Sequence, residues 1–299
     1  MSRAVELHNV VKVYELGEGI KVEALRGVDL NVEKGELLSI MGPSGSGKST
    51  LLNMIGGLDN PTSGRIIVDG IDITGMGEGE LARFRRESVG FVFQFFNLVP
   101  ILTALENVEL PIVFEGKLSS RETRERASDL LRLVGLGERM KHRPSQLSGG
   151  EQQRVAIARA LANDPSIVIA DELTGNVDRE TGSKILRFIQ HLNRTLGQTF
   201  ILVTHDPTVG QASQRILYML DGRIISEPPK SVETPSKQVL IEERRQLILA
   251  ELGWLRSSLI RLEESKDSMK TELYNQLMAG YASKLESLKQ AIQGSQEAS

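Results

Sequence analysis

Gly42-Pro43-Ser44-Gly45-Ser46-Gly47-Lys48-Ser49-Thr50 is the stretch from which the rest of the chain is read. Ahead of it runs the apolar, β-rich segment Glu36 to Met41. After it, Leu51, Leu52, Met54 and Ile55 recur on one side of a helix that ends at Gly56-Gly57. A strand, a glycine-rich turn and a helix start in that order make a phosphate cradle. The glycines let successive backbone N–H groups turn inward on phosphate oxygens, and the helix N-terminus adds partial positive charge. Lys48 then reaches the outer phosphates, and Ser49 offers a hydroxyl to Mg²⁺.

A phosphate-bound Mg²⁺ needs an acidic partner, and Ile167-Val168-Ile169-Ala170-Asp171-Glu172 supplies it. The apolar run predicts a strand buried on both faces of a parallel sheet, and ligands gather outside the carboxyl ends of such strands. Asp171 is placed to hold the metal, and Glu172 to act as the general base on a water. Phe200 to Val203 is a second run of this kind, with His205 just beyond it. Leu147-Ser148-Gly149-Gly150-Glu151-Gln152-Gln153 opens a helix expected over Gln152 to Leu161. That is a second anion-binding helix N-terminus, about 100 residues after the first. One nucleotide does not easily use both ends within a single molecule.

Leu147 to Glu151 reads LSGGE, which resembles the signature of the ABC ATPase family. The resemblance implies two chains paired head to tail, with Ser148, Gly149 and Gly150 of one closing over the γ-phosphate held by the Gly42 to Thr50 loop of the other. It further implies that Tyr14 stacks on adenine and that Gln94 senses Mg²⁺ and faces a membrane partner. Gly175-Asn176-Val177-Asp178 would communicate across the dimer through Asp178, and His205 would contact the γ-phosphate. Phe95-Phe96-Asn97-Leu98-Val99-Pro100, Leu102 to Val108 and Gly175 to Asp178 are similar to ATPases of the lipoprotein-release and macrolide-efflux exporter group. Leu173 stands where that group usually has proline.

The family implies an α/β fold over residues 1–227, with a mixed sheet core, an antiparallel β subdomain and a helical subdomain at about 95–160. Past Glu227-Pro228-Pro229 glycines are sparse, and leucines recur at spacings of three and four, as in Leu252, Leu255, Leu259 and Leu262. Residues 228–299 are read as an antiparallel helical hairpin turning near Ser265 to Asp267, either a surface for the dimer, the permease or a regulator, or a helical tail folded on the domain's own surface.

The composition fits a globular protein: 40% hydrophobic, 25% charged and a net charge of -3. That charge argues against nucleic acid as a partner, and the absence of cysteine excludes disulfides and zinc-thiolate sites. No stretch approaches the roughly 18 to 20 apolar residues that span a bilayer. The resemblance implies as partners a separate integral membrane permease and a second copy of the chain. The expected place is cytoplasmic, peripheral on the inner face of the cell membrane, with ATP and Mg²⁺ as cofactors. The competing class, a soluble ABC ATPase acting on ribosomes or DNA, usually carries two ATPase units or a long coiled coil between Lys48 and Leu147.

Overall fold

The computed structural model describes residues 2–16 and 20–225, all within the compact unit Met1–Pro229. The hairpin expected over 228–299 lies outside the described residues.

Strands β1 (Arg3–Leu16) and β2 (Ile20–Glu33) form a long antiparallel ribbon, followed by β3 (Leu37–Met41) and helix α1 (Lys48–Ile55). Next come β4 (Ser63–Val68), β5 (Ile71–Asp72), α2 (Glu78–Ser88) and β6 (Val89–Val92). Helices α3 (Ala104–Glu115), α4 (Ser120–Leu133) and α5 (Gly149–Ala160) then pack on one another. The described chain closes with β7 (Ile167–Asp171), α6 (Arg179–Leu196), β8 (Thr199–Thr204), α7 (Pro207–Gln211), β9 (Arg215–Leu220) and β10 (Arg223–Ile225).

Two sheets result. An antiparallel sheet has the order β2-β1-β4-β5, and a mixed sheet has the order β10-β9-β3-β8-β7-β6, in which only β10 is antiparallel to its neighbour. The period of two along a strand explains how the mixed sheet carries two cores. Leu38 and Ile40, Ile167 and Ile169, and Ile201 and Val203 face the antiparallel sheet and α1. Leu37, Val168 and Ala170, and Phe200 and Leu202 face the other way, joining residues of α3, α4, α5 and α6. β7 and β8, apolar on both faces, are the continuous apolar runs expected of buried parallel strands, and β3 is buried beside them with Ser39 among its apolar residues.

Asp69 and Gly70, at φ 50° and 78°, turn the chain between β4 and β5. One local expectation shifts. Helix α5 starts at Gly149 rather than Gln152, because Ser148 and Glu151 close a capping box around its first turn.

Candidate functional site

Parallel strands end on the same side, and here that side collects the chemistry. Met41 pairs with Thr204, and Asp171 with Val203, so the turns after β3, β7 and β8 emerge together. The turn after β3 is the loop Gly42 to Gly47, whose Gly45 and Gly47 sit at φ 75° and 102°, where a side chain would strain the backbone. Gly42 is needed for space: a Cβ there would lie 2.2 Å from the Met219 carbonyl oxygen. Lys48 is buried and donates to the Gly42 and Pro43 carbonyls at 2.9 and 2.8 Å. The Ser46 hydroxyl is buried with no hydrogen-bond partner among the described residues, a polar atom that a phosphate oxygen in the loop would satisfy.

Beside the loop, burial pushes the Asp171 carboxyl up from the ordinary carboxylate value. The Ser49 hydroxyl and the Lys48 charge work against that rise, and the Glu172 charge adds to it. Among the described residues no cluster of three His, Cys, Asp or Glu could cage a metal. Mg²⁺ needs no such cage: one carboxylate, a hydroxyl and an amide oxygen fit a hard cation completed by phosphate and water. The Ser49 hydroxyl lies close enough to the Asp171 carboxyl to act on its charge, which fits that donor set.

Glu172 accepts or shares a proton with His205 Nδ1 at 2.8 Å and takes a longer bond, 3.4 Å, from the Thr204 hydroxyl. Its backbone is left-handed, at φ 49°, a conformation that costs a residue other than glycine about 1–3 kcal/mol. Two backbone bonds hold it there: Glu172 N–H to the Val203 carbonyl at 2.9 Å, and Gly175 N–H to the Glu172 carbonyl at 3.0 Å. Leu173 is buried in the core at the position expected to carry proline. A packed side chain and a sheet contact therefore fix this turn. The Glu172 contact raises the His205 pKa above its ordinary value, against the pull of burial.

Gln94 lies at the end of β6 against the next turn. The Asn176 amide donates to its carbonyl at 2.6 Å, and its own Nε2 is 3.1 Å from where a Gly175 Cβ would stand. Asp178 caps α6, accepting from the Glu180 and Thr181 amides at 3.1 and 3.0 Å. Tyr14, half-buried on β1, donates to Asp59 at 2.9 Å, and Thr50 of α1 lies close enough to act on its hydroxyl.

The signature stands apart. Ser148 is exposed and caps α5, while Gly149 and Gly150 neighbour Phe96, Asn176, Val177 and Thr181 rather than the Gly42 to Gly47 loop. Sequence reasoning did not find Arg159 at the far end of the same helix. Its guanidinium donates to the Phe96 carbonyl at 2.7 Å and to the Asn97 carbonyl, and both of those residues are left-handed. Burial lowers its pKa to about 10. A half-buried arginine spanning 62 residues of sequence leaves no short-range pattern that could have revealed it.

The ABC transporter family profile matches residues 25–175. The chain is 52% identical over 226 residues to the ABC transporter ATP-binding protein MJ0796 of Methanocaldococcus jannaschii, a match covering 75% of this chain and 96% of that one. A solved structure of MJ0796, dimeric, post-hydrolysis and bound to ADP and Pi, is 49% identical with a TM-score of 0.69. It covers 77% of this chain and 100% of that one. The lipoprotein-releasing system ATP-binding protein LolD of Syntrophus aciditrophicus is 46% identical over 222 residues, 74% of this chain and 99% of its own. The macrolide export ATP-binding/permease protein MacB of Syntrophobacter fumaroxidans is 50% identical over 224 residues, 75% of this chain but 31% of the longer MacB. With the phosphate loop, the paired carboxylates and the signature helix in this arrangement, the chain belongs to the ABC transporter family, as an ATP-binding and ATP-hydrolysing subunit similar to LolD and to the ATPase part of MacB.

Proposed function

We propose that two copies of this chain pair head to tail around two ATP molecules and drive a separate membrane permease of the lipoprotein-release or macrolide-efflux kind. One observation carries the reading. The edge where β3, β7 and β8 end gathers Lys48, Asp171, Glu172 and His205, while the signature helix start at Ser148 is exposed and away from that edge. Two anion-seeking helix ends with one nucleotide between them call for a second chain.

In that assembly Gly42 to Thr50 wraps the phosphates, with Lys48 turning from the Gly42 and Pro43 carbonyls to the outer phosphate. Ser49, Asp171 and Gln94 would hold Mg²⁺, which supplies charge neutralisation on the β and γ oxygens. Glu172 takes the proton of the attacking water, and His205, its protonated form favoured by Glu172, faces the γ-phosphate. Asp178 stiffens the turn that meets the partner copy. Gln94, bonded to Asn176 and followed by exposed Phe95, is placed to carry permease contact back to this edge. Among the described residues no helix is long and apolar enough to cross a membrane, which supports a peripheral place on the inner face beside the permease.

The test exploits the absence of cysteine in the sequence. Chains carrying Ser44→Cys and Ser148→Cys in a Glu172→Gln background are expected to cross-link into covalent dimers when MgATP is present, and not without it. Both serines are exposed, so reactivity is not limited by burial. Cross-linking that ignores ATP, or never joins two chains, would overturn the head-to-tail assembly.

A further inference from the structure

Tyr14 does not stand alone on β1. Two residues earlier on the same strand face, Lys12 places its ammonium 4.8 Å from the centroid of the Tyr14 ring. That ammonium is fixed in turn, donating to Asp59 Oδ1 at 2.7 Å and to the Asn60 carbonyl at 2.8 Å. The second oxygen of the Asp59 carboxylate accepts the Tyr14 hydroxyl at 2.9 Å. One carboxylate thus holds both the cation and the ring beneath it.

We propose that Lys12 and Asp59 act as positioning residues for nucleotide binding, forming a clamp that orients the Tyr14 ring so that its face away from Lys12 receives the purine base. The inference rests on Tyr14 being the ring that stacks on the base. The clamp does two things physically. Tethering the hydroxyl and covering one face removes rotamers that a half-buried tyrosine would otherwise sample, so less order has to be bought on binding. A cation over the other face draws electron density from the ring, which favours stacking against an electron-rich purine. The titration of the carboxylate agrees with this geometry. Burial works to raise the Asp59 pKa, but bonds from Lys12, Tyr14 and the Asn60 amide outweigh it and hold the carboxyl below its ordinary value. Asp59 therefore stays ionised and keeps both partners.

The experiment compares MgATP with inorganic tripolyphosphate, which occupies the phosphate loop but has no base. In the full chain, Lys12→Met and Asp59→Asn are expected to raise KM and Kd for MgATP roughly three- to tenfold, about 0.7–1.4 kcal/mol, with kcat held within about twofold. Their affinity for tripolyphosphate, measured by competition against a fluorescent nucleotide, should match the parent. Lys12→Arg, which keeps a cation over the ring, should restore most of the MgATP affinity. In a Tyr14→Ala background neither substitution should weaken binding further. Equal losses for ATP and tripolyphosphate would mean a general distortion of the loop and would overturn the clamp. If Tyr14→Ala weakens ATP binding while neither clamp variant does, the clamp falls and the stacking role of Tyr14 stands. If Tyr14→Ala leaves ATP affinity unchanged, the stacking role fails and takes the clamp with it.

Discussion

The chain contains two glycine-rich turns that open helices, and they are built in opposite ways. The turn before α1 is folded inward: Ser46 and Lys48 are buried, and a Cβ on Gly42 or Gly47 would strike backbone at 2.2 or 2.5 Å. The turn before α5 faces outward: Ser148 is exposed, and its first turn is already satisfied by the Ser148 and Glu151 capping box. Gly150 too is crowded, yet what its Cβ would meet at 2.3 Å is a methyl of Thr181, a side chain that can rotate. In the proposed head-to-tail assembly the first turn would be the receptor and the second a lid over the partner copy's nucleotide. Substitution should therefore damage binding at the first and only assembly-dependent chemistry at the second.

The largest separation is expected at Gly42. In Gly42→Ala the new Cβ meets the Met219 carbonyl, which cannot move without displacing β9, so overpacking of about 1–3 kcal/mol is added to loss of the phosphate cradle. Calorimetry should show a melting temperature lowered by roughly 5–10 °C, with nucleotide binding lost. Gly45→Ala meets nothing within 4 Å and carries only the strain of φ 75°, so its destabilisation should stay near 1 kcal/mol. Comparable losses in both would remove the steric basis of the comparison.

Next in size is Glu172→Gln, which keeps shape and removes the base. Turnover should fall by about 10²–10⁴-fold, the range for loss of a positioned proton acceptor, while nucleotide affinity persists. Normal hydrolysis by this variant would refute the assigned chemistry. Ser148→Ala sharpens the contrast from the other side. It removes the cap of α5, costing about 1 kcal/mol of stability, and should lower dimer-dependent hydrolysis tenfold or more. Nucleotide affinity of the separate chain should match the parent, because Ser148 belongs to the lid. A matching loss of affinity would mean that the two turns serve one site within one chain.

What was legible in the sequence follows the range of the interactions. The phosphate loop, the Asp171-Glu172 strand end and the signature are runs of adjacent residues whose chemistry depends on local backbone. The two-faced burial of β7 and β8 follows from uninterrupted apolar runs. Contacts that join distant segments left no trace: Lys12 with Asp59, Arg159 with Phe96 and Asn176 with Gln94 lie 47, 63 and 82 residues apart. The turn at Leu173 was obscure for a related reason. Leu173 stands where proline would fix the backbone locally, whereas a bond from the Glu172 N–H to the Val203 carbonyl of the neighbouring strand fixes it here.

The smallest expected effect concerns the contact between Glu172 and His205, which belongs wholly to the inward-built side. Folding raises the His205 pKa above 6.5, because the Glu172 carboxylate beside Nδ1 favours the imidazolium more than burial opposes it. The folded chain thus holds this proton more tightly than the unfolded chain does. The stabilisation is fully present below pH 6.5, the unfolded value, and is lost as pH rises through the raised folded value. His205 is 73% exposed at its side chain, so solvent screening keeps the effect small. The melting-temperature gap between the parent and His205→Gln should accordingly be widest near pH 6 and close toward pH 9. In a Glu172→Gln background that pH dependence should shrink or reverse, since burial and the Lys48 charge then oppose the imidazolium with only Asp206 favouring it. A gap that widens with rising pH would show that the imidazole contributes as a neutral packing group, and the dyad would then lose its electrostatic role.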